Sequence, residues 1–175
     1  MRSRRLENQS REKNMFHIVL YEPEIPANTG NISRLSVAVG ATLHLVGRLG
    51  FSLDDKYLKR AGLDYWPEVR LERHETLMEY EATRPADRLF CFSSHATVSY
   101  THMRYQPGDA FLFGCESRGL PPEVIERHAA RALRIPMMND KVRCLNLSSA
   151  VAVVVYEALR QVGALDEEPP TRVGG

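Results

Sequence analysis

Three polar segments carry the side chains whose types and spacing could do chemistry: residues 22–34 (EPEIPANTGNISR), 113–121 (FGCESRGLP) and 134–146 (RIPMMNDKVRCLN). In the first, Asn28 and Asn31 flank Thr-Gly, a composition that suits a turn and a helix N-cap. The same arrangement can aim carboxamides and helix-start N–H groups at an anionic ligand, with Arg34 one turn further along. In the second, Gly114 ends a strand candidate and permits close backbone approach to a flat ligand, while Glu116 and Arg118 share a tight loop. Taken alone, that loop is equally a glycine turn with a surface ion pair.

Several chemistries are excluded by what the sequence lacks. Gly114 and Gly119 match the outer glycines of a phosphate loop, but Leu120 and Pro121 stand where Lys and Ser or Thr are required. There is no GxGxxG dinucleotide fingerprint and no GxSxG nucleophile elbow. The six histidines form no HxH or HExxH, and Cys91, Cys115 and Cys144 form no CxxC, so no metal site is expected. An odd number of scattered cysteines fits reduced thiols packed as small apolar residues.

The elements that must position these segments alternate between strand and helix. Strands are expected at residues 16–21, 42–46, 69–71, 89–92, 110–113 and 133–135, and helices at 31–39, 74–82, from Pro121-Pro122-Glu123, and at 146–162. The valine run in the last segment also suits a buried strand; its length and the possible caps Asn146 or Ser148 favour helix. This alternation predicts an α/β fold with a parallel sheet covered by helices on both faces. Each polar segment then follows a strand, which is where open parallel sheets bind ligands.

At 175 residues, with 43% hydrophobic and 26% charged side chains, the chain suits one soluble domain with a sizeable core. Its longest apolar run, residues 150–155, is far short of the ~20 residues that span a bilayer, and the N-terminus lacks a secretory signal, so a cytoplasmic protein is expected. Residues 1–14 hold Arg2, Arg4, Arg5, Arg11 and Lys13 against two acidic side chains, a local charge of +3, and read as a disordered basic extension. The folded domain spans 15–165, and 166–175 (DEEPPTRVGG) reads as a flexible tail. The rest of the chain has 18 basic and 20 acidic residues, net −2, so a nucleic-acid partner must be held by a local patch or an oligomeric surface.

Taken in order, FHIVLYEPEIPANTGNISR, DDKYLKRAGLDYW, FGCESRGLP and LNLSSAVAVVVYEAL resemble the SPOUT superfamily of RNA methyltransferases. Within it the chain is similar to the short TrmL (YibK-type) group, tRNA 2'-O-methyltransferases of the wobble nucleotide. The resemblance covers nearly all of residues 15–162. It implies a C-terminal deep trefoil knot, which periodicity alone could not reveal. It also implies S-adenosyl-L-methionine as cofactor, with contacts from Phe92, Gly114, Ile135, Cys144, Leu145 and Asn146. Two departures accompany it: Cys144 stands where serine is common, and residues 138–143 run one residue long.

The implied reaction is methyl transfer to the ribose 2'-hydroxyl of tRNA nucleotide 34, with leucine isoacceptors and the anticodon stem-loop as expected partners. Asn28, Asn31, Arg34 and Glu116 are the implied catalytic set, with Arg34, Arg118, Arg143 and Tyr156 toward RNA. A guanidinium stays protonated, so Arg34 is expected to stabilise alkoxide charge or clamp a phosphate, oriented by Asn28, Asn31 and Glu116. A homodimer is implied too, in which Arg48, Lys56, Lys59, Arg60, Lys141 and Arg143 of two subunits would build a basic surface. A related enzyme acting on another RNA, or a knotted RNA-binding protein without turnover, are the alternatives the sequence leaves open.

Overall fold

The computed structural model describes residues 15–53 and 65–166. The expectations for 1–14 and for Lys56, Lys59 and Arg60 lie outside the described residues, as does all but Asp166 of the C-terminal tail. The described elements are β1 (His17–Tyr21), α1 (Pro26–Ala38), β2 (Thr42–Val46), β3 (Leu71–His74), α2 (Leu77–Ala82), β4 (Leu89–Phe92), β5 (Val98–Ser99), β6 (Ala110–Phe113), α3 (Pro122–Arg127), β7 (Ala132–Arg134) and α4 (Leu147–Gln161). The strands form one sheet in the order β3-β2-β1-β6-β4-β7-β5, and every pairing is parallel.

The central strands are buried on both faces, which is why β4 (LFCF) and β6 (AFLF) are apolar throughout instead of alternating. On one face Ile32 of α1 and Val151, Val154, Val155 and Ala158 of α4 pack over Leu20, Leu43, Phe90 and Phe111. On the other, Leu77 and Tyr80 of α2 and Val124 of α3 cover Val19, Cys91 and Leu112. β1 lies between β2 and β6, so the chain winds outward through β3 and then crosses to the far half of the sheet. A crevice at the carboxyl ends of β1 and β6 follows from that reversal of strand order. At the opposite edge the bidentate Arg88–Asp109 pair, 2.6 and 2.5 Å, ties the start of β4 to that of β6. Asp109 is fully buried and also accepts from the Gln106 amide at 2.8 Å.

Several boundaries differ from the sequence reading, most of all in α1, β3, α2 and β7. Helix α1 begins at Pro26, not near Asn31, so Asn28-Thr29-Gly30-Asn31 is helical and not a turn with an N-cap. Proline suits the first turn, and the cap comes from a distant carboxylate described below. Strand β3 runs to His74, and α2 starts only after Thr76, whose hydroxyl accepts from the Glu79 amide while the Glu79 carboxylate accepts from the Glu75 amide. These two bonds, close to a capping box but with the carboxylate reaching the amide before the cap residue, fix the helix start. Strand β7 sits one residue earlier than expected, ending two residues before Pro136, which has no N–H to donate. The two-residue β5 was not anticipated.

Histidines interrupt the apolar pattern in three neighbouring strands. His17 of β1, His44 of β2 and His74 of β3 form a row, with His17 Nδ1 2.9 Å from His44 Nε2 and His44 Nδ1 3.1 Å from His74 Nε2. Burial, with the nearby Arg84 charge, pushes His17 down to about 4, and burial next to His17 pushes His44 down to about 3. Both rings are neutral at neutral pH, and the hydrogen bonds between them satisfy polar nitrogens that the core would otherwise leave unpaired.

Candidate active site

The three polar segments meet at the carboxyl end of the sheet. Glu116, in the loop after β6, accepts from the backbone amides of Glu24 (2.8 Å) and Ile25 (3.2 Å) and from Asn28 Nδ2 (3.0 Å). A helix start leaves N–H groups without intrahelical partners and carries partial positive charge, so a carboxylate there is stabilising. Ile25, the residue at the N-cap position, has no side-chain cap of its own. Asn28 is buried and its Oδ1 accepts from Asn146 Nδ2 at 3.0 Å. Asn146 in turn caps α4, its Oδ1 accepting from the Ser148 amide and hydroxyl at 2.9 and 2.8 Å. One chain of hydrogen bonds thus joins residues 88 and 118 positions apart.

A second link closes the first two loops. Glu24 accepts from the Ser117 hydroxyl (2.7 Å) and amide (2.9 Å), and these bonds hold its carboxyl below the usual carboxylate range. The two loops therefore exchange carboxylates, Glu116 onto residues 24–28 and Glu24 onto Ser117. Glu22 takes a left-handed backbone conformation, φ 48°, at the end of β1, and its carboxylate lies 3.6 Å from the exposed Arg118. Gly114 admits no side chain: a Cβ there would lie 2.0 Å from the Gly119 carbonyl carbon. What approaches Gly114 is therefore the returning loop itself, whose bend uses the positive φ (71°) of Gly119.

Arg34 is placed differently from the expectation. It is exposed on α1, and its guanidinium carbon lies 5.2 Å from the centre of the Tyr65 ring. Neither Asn28, Asn31 nor Glu116 bonds it among the described residues; Asn28 faces inward toward Glu116 and Asn146, whereas Asn31 and Arg34, three apart, share the outer face. The Glu24–Ser117 clamp and the Tyr65 contact escaped the sequence reading. An aromatic residue left exposed beside a charged stretch was the available signal for Tyr65.

The residues assigned to a cofactor lie along adjacent strand ends. Phe92 ends β4, with its ring stacked on Phe113 of β6 at 4.8 Å; Gly114 follows β6, and the half-buried Ile135 follows β7. Cys144 is exposed, Leu145 half-buried, and Asn146 opens α4. Arg143 is exposed in the same segment, and Tyr156 projects from α4 with 47% of its surface accessible.

The SpoU rRNA Methylase family model matches residues 15–156, and the chain belongs to that family. A tRNA (cytidine(34)-2'-O)-methyltransferase of Acidovorax sp. (strain JS42) is 50% identical over 161 residues, 90% of this chain and 98% of the relative. A solved structure reported as structural insights into the 2-OH methylation of C/U34 on tRNA superposes with a TM-score of 0.82 at 48% identity, covering 87% of this chain and 99% of that one. The AdoMet-bound rRNA methyltransferase of Sinorhizobium meliloti, 25% identical, gives a TM-score of 0.76 over 86% of this chain and 57% of that one.

Proposed function

We propose that this chain transfers a methyl group from S-adenosyl-L-methionine to the ribose 2'-oxygen of the wobble nucleotide, position 34, of tRNA. The observation that carries this reading is the 50% identity, over 90% of this chain, to the tRNA (cytidine(34)-2'-O)-methyltransferase of Acidovorax sp. (strain JS42). Leucine isoacceptors and their anticodon stem-loop are the substrates implied by the sequence resemblance.

The residues present fit the cofactor. The stacked Phe92 and Phe113 rings and Ile135 offer an apolar floor beneath an adenine. Among the described residues, the backbone amides of Ile135, Cys144 and Leu145 enter none of the chain's internal hydrogen bonds and remain available to a ligand. Phe92, Gly114, Ile135, Cys144, Leu145 and Asn146 would hold it, chiefly through backbone, so cysteine in place of serine at 144 is tolerable. When bound, the cofactor supplies a methyl group activated by a sulfonium.

The chain's own residues orient the acceptor. Glu116, Asn28 and Asn146 fix the start of α1 against the start of α4, which sets where the outer face of α1 presents Asn31 and Arg34. Arg34 keeps its proton; it places positive charge by the ribose oxygen as the hydroxyl proton leaves to water, or grips the neighbouring phosphate. Arg118 and Arg143, both exposed, add phosphate contacts.

The reading includes a C-terminal trefoil knot and a homodimer in the cytoplasm. Support for the knot is the return of the chain after β7, which brings Asn146 onto Asn28. Support for the dimer is the exposure of the apolar Ile25 and Val142 and of Tyr156; each copy is net −2 beyond residue 14, so Arg48, Lys141 and Arg143 of two subunits would act by gathering into a local basic RNA surface. Incubation with methyl-labelled cofactor and tRNA from a strain lacking this protein, followed by nuclease digestion and mass mapping, tests the reaction. Label is expected on the ribose of nucleotide 34; label on a base, on another nucleotide or nowhere overturns the proposal.

A further inference from the structure

The row of histidines ends in a group with metal-ligand geometry. Glu72 and His74 are two apart on β3, so both side chains leave the same face of the edge strand, and His44 is the register partner of Glu72 on β2. His44 Nδ1, His74 Nε2 and Glu72 Oε2 lie 3.1, 3.3 and 3.8 Å apart. Nitrogen and oxygen ligands at zinc distances around a tetrahedral centre stand about 3.3–3.5 Å from one another. The three edges bracket that value, and two imidazoles with one carboxylate are a donor set zinc takes.

We propose that His44, Glu72 and His74 form a site for a borderline divalent transition-metal ion, zinc above all, with a fourth position left to water on the exposed Glu72 side. His44 and His74 are buried and Glu72 is exposed, so an ion reaches the site from solvent while its ligands are held by the sheet. The Tyr80 ring packs on both imidazoles, at 5.0 and 5.1 Å, and limits their rotation. The outer nitrogen of His44 lies 2.9 Å from His17 Nδ1 and can donate to it, the kind of supporting bond that fixes a ligating tautomer. Arginine only donates, and Arg84 lies 2.6 Å from His17 Nε2 and 2.9 Å from His17 Nδ1; once His44 donates to Nδ1, Nε2 carries the ring proton, so loading moves Arg84 off Nε2. This group lies on the sheet face covered by α2, opposite α1 and Arg34. The ion therefore clamps edge strand β3 to β2 and takes no part in methyl transfer.

The test uses the full, tag-free chain stripped with chelator and titrated with cobalt(II), then zinc. One cobalt per chain with the visible absorption of a four-coordinate ion, displaced by zinc, is expected. Glu72→Gln and His74→Gln should each weaken binding by about tenfold or more, and at equal zinc the melting temperature of the wild type should rise more than that of either variant. An absence of saturable binding at ~100 times the protein concentration, or unchanged affinity in both variants, overturns the site.

Discussion

Glu116 is the residue on which the site's geometry turns, because its two carboxylate oxygens accept three bonds from residues 24–28. Glu116→Gln keeps the shape but sets an N–H₂ group against backbone donors, and should cost about 1–2 kcal/mol of stability in denaturant unfolding. Single-turnover methyl transfer should fall about tenfold or more, since displaced positioning groups lose rate steeply. Arg34→Lys keeps the charge and loses the planar fork. It is expected to lower the single-turnover rate about 100-fold while tRNA affinity, measured by filter binding, changes about twofold or less. A rate close to wild type would contradict a role for the planar fork and leave only the positive charge. Asn28, Glu116 and Asn146 stand out in the sequence as polar residues in loop-like segments, but nothing in their spacing shows that they bond one another. Arg34's partner is hidden for the same reason, and the histidine row converges only through strand register, at separations of 27 and 30 residues.

Among the elements, the central strands were legible because their sequences are largely apolar, without a break in β4 and β6 and with single histidines or a threonine in β1 and β2; all four match the reading almost residue for residue. Helix α1 was legible except at its start, since a carboxylate from the far side of the sequence supplies its cap and no local residue signals it. Helix α4 formed despite its valines because Asn146 caps it and one face packs on the sheet. The segment between β7 and α4 should reveal its role through its thiol. Cys144 is exposed whereas Cys91 and Cys115 are buried, and burial pushes the Cys91 thiol up to about 12. One thiol per native chain should react quickly with a thiol reagent, and saturating S-adenosylmethionine should protect it. Fast modification of two or three thiols, or no protection, would contradict the placement of Cys144 beside the cofactor.

For the whole molecule, stability and site are built at opposite ends of one sheet. The Arg88–Asp109 pair holds β4 to β6 at the end away from the site, and removing one partner strands a buried charge. Arg88→Ala should destabilise the chain by about 3 kcal/mol in equilibrium unfolding, with little change in the rate per folded molecule. A loss below about 0.5 kcal/mol would mean that the pair behaves as an exposed one. At the site end, separate loops after β1, β6 and β7 are drawn into one network, which is how a chain with little net charge concentrates its polar chemistry in one place. That the polar loops would follow strand ends was readable from strand–helix alternation; which loops touch was not, because the order β1-β6-β4-β7 is set by crossovers invisible in local pattern. The central claim is that the methyl acceptor is the ribose oxygen of nucleotide 34. The most direct test compares two anticodon stem-loop RNAs that differ only in carrying cytidine or 2'-deoxycytidine at that position. One methyl group on the first and none on the second, at similar binding, is the expected result; methyl transfer to the deoxy RNA would contradict the account.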